Sequence, residues 1–147
     1  MTVNATIVRF GYPDTLIVAY HHWLVLLRPE QPTLGSLVLA SRSDAEALSL
    51  LPSEAFAELG TVIGDIEVAL KSAIMYEKIN YLMLMMVDPH VHWHVVPRYD
   101  GLRSAEGITV ADRGWPKAPQ LADSLKLEAG QIAALRDWLR ARWRLLA

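Results

Sequence analysis

The sequence predicts an α+β domain: a mainly antiparallel sheet of about five strands, one long helix packed against a face, and a C-terminal helix. Three observations carry this expectation. Short apolar runs bounded by turn residues recur on both sides of a single long helical stretch. Two of those runs are joined by little more than Asp88-Pro89, a connection that suits antiparallel neighbours. Finally, His90 to Val96 alternates polar and apolar residues with the period of two that sends a strand's side chains to opposite faces.

Tyr12-Pro13-Asp14 reads as a turn, and Thr15 to Tyr20 as the first strand. His21 and His22 read as hairpin residues, because no periodic partner row accompanies them, and Trp23 to Leu27 as the second strand. Arg28 to Thr33 reads as a loop, and Leu37 to Ala40 as a third, buried strand. Ser43 and Glu46 have capping-box spacing, which places a short helix there. The long helix begins at Pro52, a favourable first-turn residue. Phe56, Leu59, Ile63, Ile66, Leu70 and Ile74 then recur every three or four residues as a stripe for the sheet. Gly60 and Gly64 lie within that helix, each costing about 1 kcal/mol against alanine, and a close approach to the sheet would explain them.

Ile79 to Val87 reads as a strand, whose methionines suit either a plain core or a soft binding surface, with the core favoured. Asp88-Pro89 turns the chain into the alternating strand. From Asp100 to Leu125 the chain is rich in glycine, proline and charge, with only Ile108-Thr109-Val110 suggesting a local strand. A loop that long is often functional, and Gly114-Trp115-Pro116 fits either a site cover or an ordinary turn. Ile132, Leu135, Leu139, Trp143 and Leu146 form the stripe of the last helix, and Arg140, Arg142 and Arg144 suit its C-terminal dipole.

Chemistry concentrates in His90, His92 and His94, three of the five histidines in the chain. With Val91, Trp93 and Val95 facing the core, the imidazoles share the opposite face, roughly 6.5 Å apart. Imidazole titrates near pH ~6.5, which suits nucleophilic attack, proton transfer or metal ligation. The readings are a purely structural row, a metal site and a phosphoryl site. Two histidines two apart on a strand can bind zinc, but three successive positions converge on one ion only if the strand curves. The chain offers no cysteine and no second histidine or carboxylate cluster as further ligands.

The segment His90-Val91-His92-Trp93-His94-Val95-Val96, followed by Pro97-Arg98-Tyr99, resembles the motif of the histidine triad family. The likeness runs from about Thr15 to Tyr99, through Leu34-Gly35-Ser36-Leu37-Val38-Leu39 and Lys78-Ile79-Asn80-Tyr81. The resemblance implies a dimeric nucleotide hydrolase or transferase acting at an α-phosphate, with no cofactor. By the same resemblance, His92 would be the nucleophile that forms a nucleotidyl-histidine. A backbone carbonyl near His90 would fix its tautomer, His94 would contact phosphate or aid the leaving group, and His90 would orient the row. Asn80 matches an asparagine that many relatives use near the nucleotide.

The chain departs from the family at three places. Ser36 follows Gly35 where many members carry a fourth histidine, and no Gly-Gln-Ser/Thr segment precedes the triad. Arg28 occupies the spacing of a ribose-binding acid or amide. Its guanidinium fork suits a phosphate or carboxylate clamp, and a solvated strand-end arginine is the plain alternative. Ser36, Asn80 and Arg28 are therefore the substrate-binding candidates beside the histidines. These departures keep two other classes open: a nucleotide binder without turnover, and a metal-dependent hydrolase using the same row.

Composition sets the remaining expectations. At 147 residues the chain suits one domain over 1–147, the part from about 100 being less diagnostic. An apolar share of 52% and a mean hydropathy of +0.20 leave a surplus that a homodimer interface would absorb. A net charge of −2 provides no broad basic field, so the expected partner is a small nucleotide and not a nucleic acid. The lack of cysteine and of a basic leader fits a cytoplasmic protein. No run approaches the ~20 apolar residues of a spanning helix, so no membrane partner is expected.

Overall fold

The computed structural model of the chain describes residues 2–144. In order, the elements are α1 (Ala5–Arg9), β1 (Leu16–Ala19), β2 (Trp23–Leu27), β3 (Glu30–Gln31), β4 (Leu37–Ser41), a 3-10 turn (Leu48–Leu50) and α2 (Ser53–Ile74). They continue with β5 (Lys78–Leu82), β6 (His92–Arg98), β7 (Leu102–Ala105), β8 (Ile108–Ala111), β9 (Leu125–Lys126) and α3 (Ala129–Arg144). Strands β1-β2-β4-β6-β5 form a five-stranded sheet in that spatial order, every pair antiparallel. The histidine strand β6 is interior: His94 lies opposite Val38 of β4 on one side and Leu82 of β5 on the other. The α+β architecture expected from the sequence is the one observed.

Alternation along the strands divides the core in two. Trp23, Val25, Leu27, Leu37, Leu39, Val91 and Val95 face α2 and α3, meeting Val62, Ile66, Leu70, Leu135 and Leu139. Burying each such side chain contributes about 1.5–3 kcal/mol. The other face carries Leu24, Leu26, Val38 and Ala40, covered by Ile7 of α1. All five residues of β2 and all five of β4 are consequently buried. Gly35 makes the bend before β4 with φ +87°, and a Cβ there would lie 2.9 Å from Ile74 Cγ1. The end of α2 thus closes against bare backbone.

Several expectations are corrected. The capping box at Ser43 does not start a helix. Ser43 Oγ accepts from the Ala45 amide, and the Ala45 carbonyl accepts from Val91, so this segment is tied to the sheet. The long helix begins as expected, with Pro52 at its N-cap, and of its expected stripe Ile66, Leu70 and Ile74 are buried while Leu59 and Ile63 pack partly buried on the core, joined by Ala55, Val62 and Ala69. Phe56 is 44% exposed. Small Ala55 and Ala69 are almost fully buried, and their weak hydropathy hid them. Gly60 and Gly64 point away from the sheet, with nothing within 4 Å of an added Cβ.

The strand expected over Ile79–Val87 leaves the sheet after Leu82, and Leu84, Met86 and Val87 are exposed rather than core. The turn at Asp88-Pro89 is therefore the end of a longer excursion. Within the expected Arg28–Thr33 loop lies β3, paired with β9. In the Asp100–Leu125 stretch, Ile108-Thr109-Val110 does form a strand, and its partner β7 turns into it through Glu106 and Gly107, both at positive φ. Leu135, Leu139 and Trp143 of the expected α3 stripe are buried, while Leu146 and the Arg144 side chain lie outside the described residues. Arg140 donates to the Leu16 and Ile17 carbonyls, and Arg142 stacks on Trp138. No described helix is long and apolar enough to cross a membrane.

Candidate active site

The sequence pattern predicted a half-exposed histidine face; the structure covers it. His92 is 1% exposed and His94 6%. The covering element is α1, which the sequence reading missed: five residues are too few for periodicity. Its one local signal is Asn4, an N-cap whose side chain accepts from the Ile7 amide. Asn4 also donates to the Ser41 and Ser43 carbonyls, pinning the helix to the end of β4. The chain leaving α1 then sets Phe10 over both inner histidines, with ring centroids 5.5 Å from His92 and 5.7 Å from His94.

His92 and His94 stand edge to face, centroids 5.1 Å apart, closer than a flat strand would hold them. His92 Nδ1 lies 2.6 Å from the His90 carbonyl oxygen. A carbonyl only accepts, so Nδ1 carries a proton, and of the two neutral tautomers the one this contact selects has its lone pair at Nε2. His90 lies in the bend just before β6, and its Nδ1 shares a 2.8 Å hydrogen bond with the Thr6 hydroxyl, which also accepts from the His90 amide at 3.4 Å. Thr6 was not among the expected site residues, and nothing local in the sequence links positions 84 residues apart.

Arg28 leaves the end of β2 half-buried. Its Nε donates to His94 Nδ1 at 3.3 Å and its Nη1 to the Glu30 carbonyl at 2.7 Å. Burial lowers the pKa of Arg28 from its ordinary value, against an opposing pull from Glu30. His94 is pushed down to about 4, by burial first and then by the Arg28 and His92 charges. Arg28 is thus engaged at the strand end by His94 and the Glu30 carbonyl while remaining half-buried.

Around these groups lies a cavity of about 280 Å³ lined by His92, His94, Arg28, Phe10 and residues Leu84 to Asp88. Met85 holds φ +50° there, so the loop carries an uncommon backbone conformation for a side-chain-bearing residue. A second cavity of about 230 Å³ shares Phe10, Arg28 and Asp88 and adds Arg9, Pro29 and Glu30. Arg9 and Asp88 meet at 3.0 Å across it. The methionine-rich segment is therefore a cavity wall beside the histidines, the role that a plain core strand was preferred to.

Two other expected residues lie elsewhere. Ser36 is fully buried, its hydroxyl engaged with the Thr33 side chain, amide and carbonyl, and it lines neither cavity. Asn80 accepts from Arg98 Nη1 at 2.8 Å, while Arg98 grips Asp112 bidentately at 2.7 and 3.1 Å. That network borders a separate cavity of about 580 Å³ with Lys78, Trp115, Pro116 and Lys117. Asp112 was not anticipated, because its partner is 14 residues away across a hairpin. His21 and His22 sit in the β1–β2 turn, where their amides donate to Glu58. Among the described residues, no group of three or more histidine, cysteine or acidic side chains is placed to hold one ion.

No protein-family model and no curated protein matches the chain. Solved structures do. A histidine triad protein from Bradyrhizobium japonicum is 22% identical with TM-score 0.72, the match covering 96% of each chain. One from Sinorhizobium meliloti is 20% identical with TM-score 0.72, covering 98% of this chain and 95% of that one. A Plasmodium falciparum diadenosine triphosphate hydrolase, solved with Cyclomarin A, is 8% identical with TM-score 0.66, covering 90% of this chain and 78% of that one. The fold of this chain is the histidine triad fold.

Proposed function

We propose that the protein is a nucleotide hydrolase or nucleotidyl transferase that works through a covalent intermediate on His92. The observation that carries this reading is the 2.6 Å contact from His92 Nδ1 to the His90 carbonyl, which leaves Nε2 as a neutral nucleophile in a walled cavity. In the first step Nε2 attacks the α-phosphorus, a P–N bond forms, and the bond to the leaving group breaks with its electron pair. In the second, water attacks the same phosphorus, the P–N bond breaks, and the nucleoside monophosphate departs. One difficult displacement becomes two easier ones.

The substrate class is a nucleoside phosphoramidate or a dinucleoside polyphosphate, a choice supported by the fold shared with a diadenosine triphosphate hydrolase. His94 lies beside the nucleophile to assist the leaving group, and Phe10 with the Leu84–Val87 wall excludes water. The acting unit is a homodimer, in keeping with the apolar surplus and the exposed Phe56 and Val68 on the outer face of α2.

The test is a panel of both substrate classes, quenched during the first turnover and weighed intact by mass spectrometry. A nucleotidyl adduct on His92 followed by monophosphate release is expected. Tight retention of nucleotide without adduct or product after long incubation would replace the enzyme by a nucleotide-binding protein.

A further inference from the structure

The contact between Arg28 and His94 bears on which leaving groups the site can handle. Arg28 Nε–H points at His94 Nδ1, and a guanidinium has no acceptor, so Nδ1 must hold its lone pair toward Arg28. The second anchor, Nη1 on the Glu30 carbonyl, keeps the guanidinium aimed. His94 then carries its proton on Nε2, the ring nitrogen with no bond inside the described protein. We infer that Arg28 is a positioning residue that holds His94 as a neutral Nε2–H donor, and thereby tunes the site toward phosphoanhydride over amine leaving groups.

The inference rests on the His92 mechanism and deepens it. When an anhydride breaks, the electron pair goes to a phosphate oxygen that departs as an anion and needs no proton. A hydrogen bond from Nε2–H and the nearby guanidinium charge suffice for it. When a phosphoramidate breaks, the pair goes to nitrogen, and the amine can leave only with a proton transferred to it. An imidazolium would supply that proton; a neutral imidazole is a far weaker acid.

Every charged group around His94 fits this reading. Arg28 faces it from the end of β2 and His92 from its own strand, both opposing a positive ring, and Phe10 of the α1 exit adds no charge. Asp88, across the cavity, is the one acid lining it and is engaged by Arg9. Burial acts in the same direction as Arg28, and together they keep the ring neutral at pH 7.

The test compares wild type with Arg28→Met and Arg28→Lys, each first shown to be folded by its thermal transition. Nitrogen-15 NMR of the His94 ring should show one neutral tautomer, protonated at Nε2, from pH 5.5 to 8 in wild type. In Arg28→Met a mixture of tautomers should appear, and the protonation midpoint should rise by a pH unit or more; Arg28→Lys should fall between. In parallel, kcat/KM is measured for diadenosine triphosphate and adenosine 5′-phosphoramidate. Their ratio should favour the anhydride in wild type and shift at least tenfold toward the phosphoramidate in Arg28→Met.

An unchanged tautomer and an unchanged ratio in Arg28→Met would overturn the inference. So would a rise in KM alone for both compounds, which would make Arg28 a simple anion clamp. If wild type turns over neither compound, the hydrolase reading fails, and the substrate preference with it. The NMR arm still decides whether Arg28 sets the His94 tautomer.

Discussion

The His90 carbonyl and the His92 ring are two residues apart on one chain, and 2.6 Å separates the oxygen from Nδ1. On the proposed mechanism, that contact makes one of the alternating histidines the nucleophile, with Nε2 as its free nitrogen. His92→Ala or His92→Gly is expected to lower kcat more than ~10³-fold, since the covalent route is lost. His92 is buried, so a folded baseline must be established by circular dichroism. Near-wild-type turnover by a folded variant would move the nucleophile elsewhere.

Acid should destabilise the protein through His94. Above pH ~6.5 the ring is neutral in the folded and unfolded chain alike, and its burial costs nothing further. Below that, the unfolded chain takes up a proton first, because the folded pKa is depressed to about 4. Stability therefore falls as pH drops from about 6.5 to about 4, by on the order of 3 kcal/mol. Urea unfolding of wild type and His94→Gln across that range checks this. The difference between the two curves should slope with pH, and parallel curves would remove His94 from the account.

Met86 is 84% exposed and lines the histidine cavity. Met86→Ser should leave stability within ~0.5 kcal/mol, as surface substitutions do. Removing apolar wall from the cavity should raise KM several-fold while kcat changes less. Unaltered KM across the substrate panel would mean that this loop takes no part in binding.

Chelation should leave turnover intact. In the described residues each triad Nδ1 is already engaged, by Thr6, the His90 carbonyl and Arg28 respectively. On the proposed scheme the His94 lone pair is turned to Arg28, so its Nε2–H cannot ligate an ion and no three-nitrogen cage of ~2.0–2.1 Å bonds is expected. Removing metals, verifying this by elemental analysis and assaying with and without zinc decides the matter. A strict zinc requirement with one tightly held ion per chain would sink the nucleotidyl-histidine scheme. Mild magnesium stimulation would not, since magnesium accompanies phosphates.

A homodimer should sediment at about twice the 16.4 kDa chain mass at micromolar concentration, a range in which stable interfaces persist. The contact is expected to include the exposed Phe56 and Val68 of α2 and part of the chain after Tyr99. Phe56→Glu should shift the protein toward monomer. A purely monomeric wild type would contradict the expectation.

Strand identity was largely readable because β2, β4 and β6 are short, apolar and bounded by turn residues, and local patterning suffices for that. The triad and the α2 start were readable for the same reason. Where reading failed, a distant partner decided. Ser43 has helix-capping spacing, yet the Ala45 carbonyl is taken by Val91 across the chain. Leu84 to Val87 has strand-like composition, yet leaves the sheet and walls the cavity.

The sequence alone determined that His92 and His94 share one strand face, because a period of two is a property of the backbone itself, whereas His90 lies in the bend just before β6. Only the tertiary structure decided which group each imidazole meets. Thr6 reaches His90 from α1 and Arg28 reaches His94 from the end of β2, across 84 and 66 positions of chain. A hydrogen-bond partner sets a ring's tautomer and free nitrogen, and partners that distant meet only when the sheet and α1 have packed.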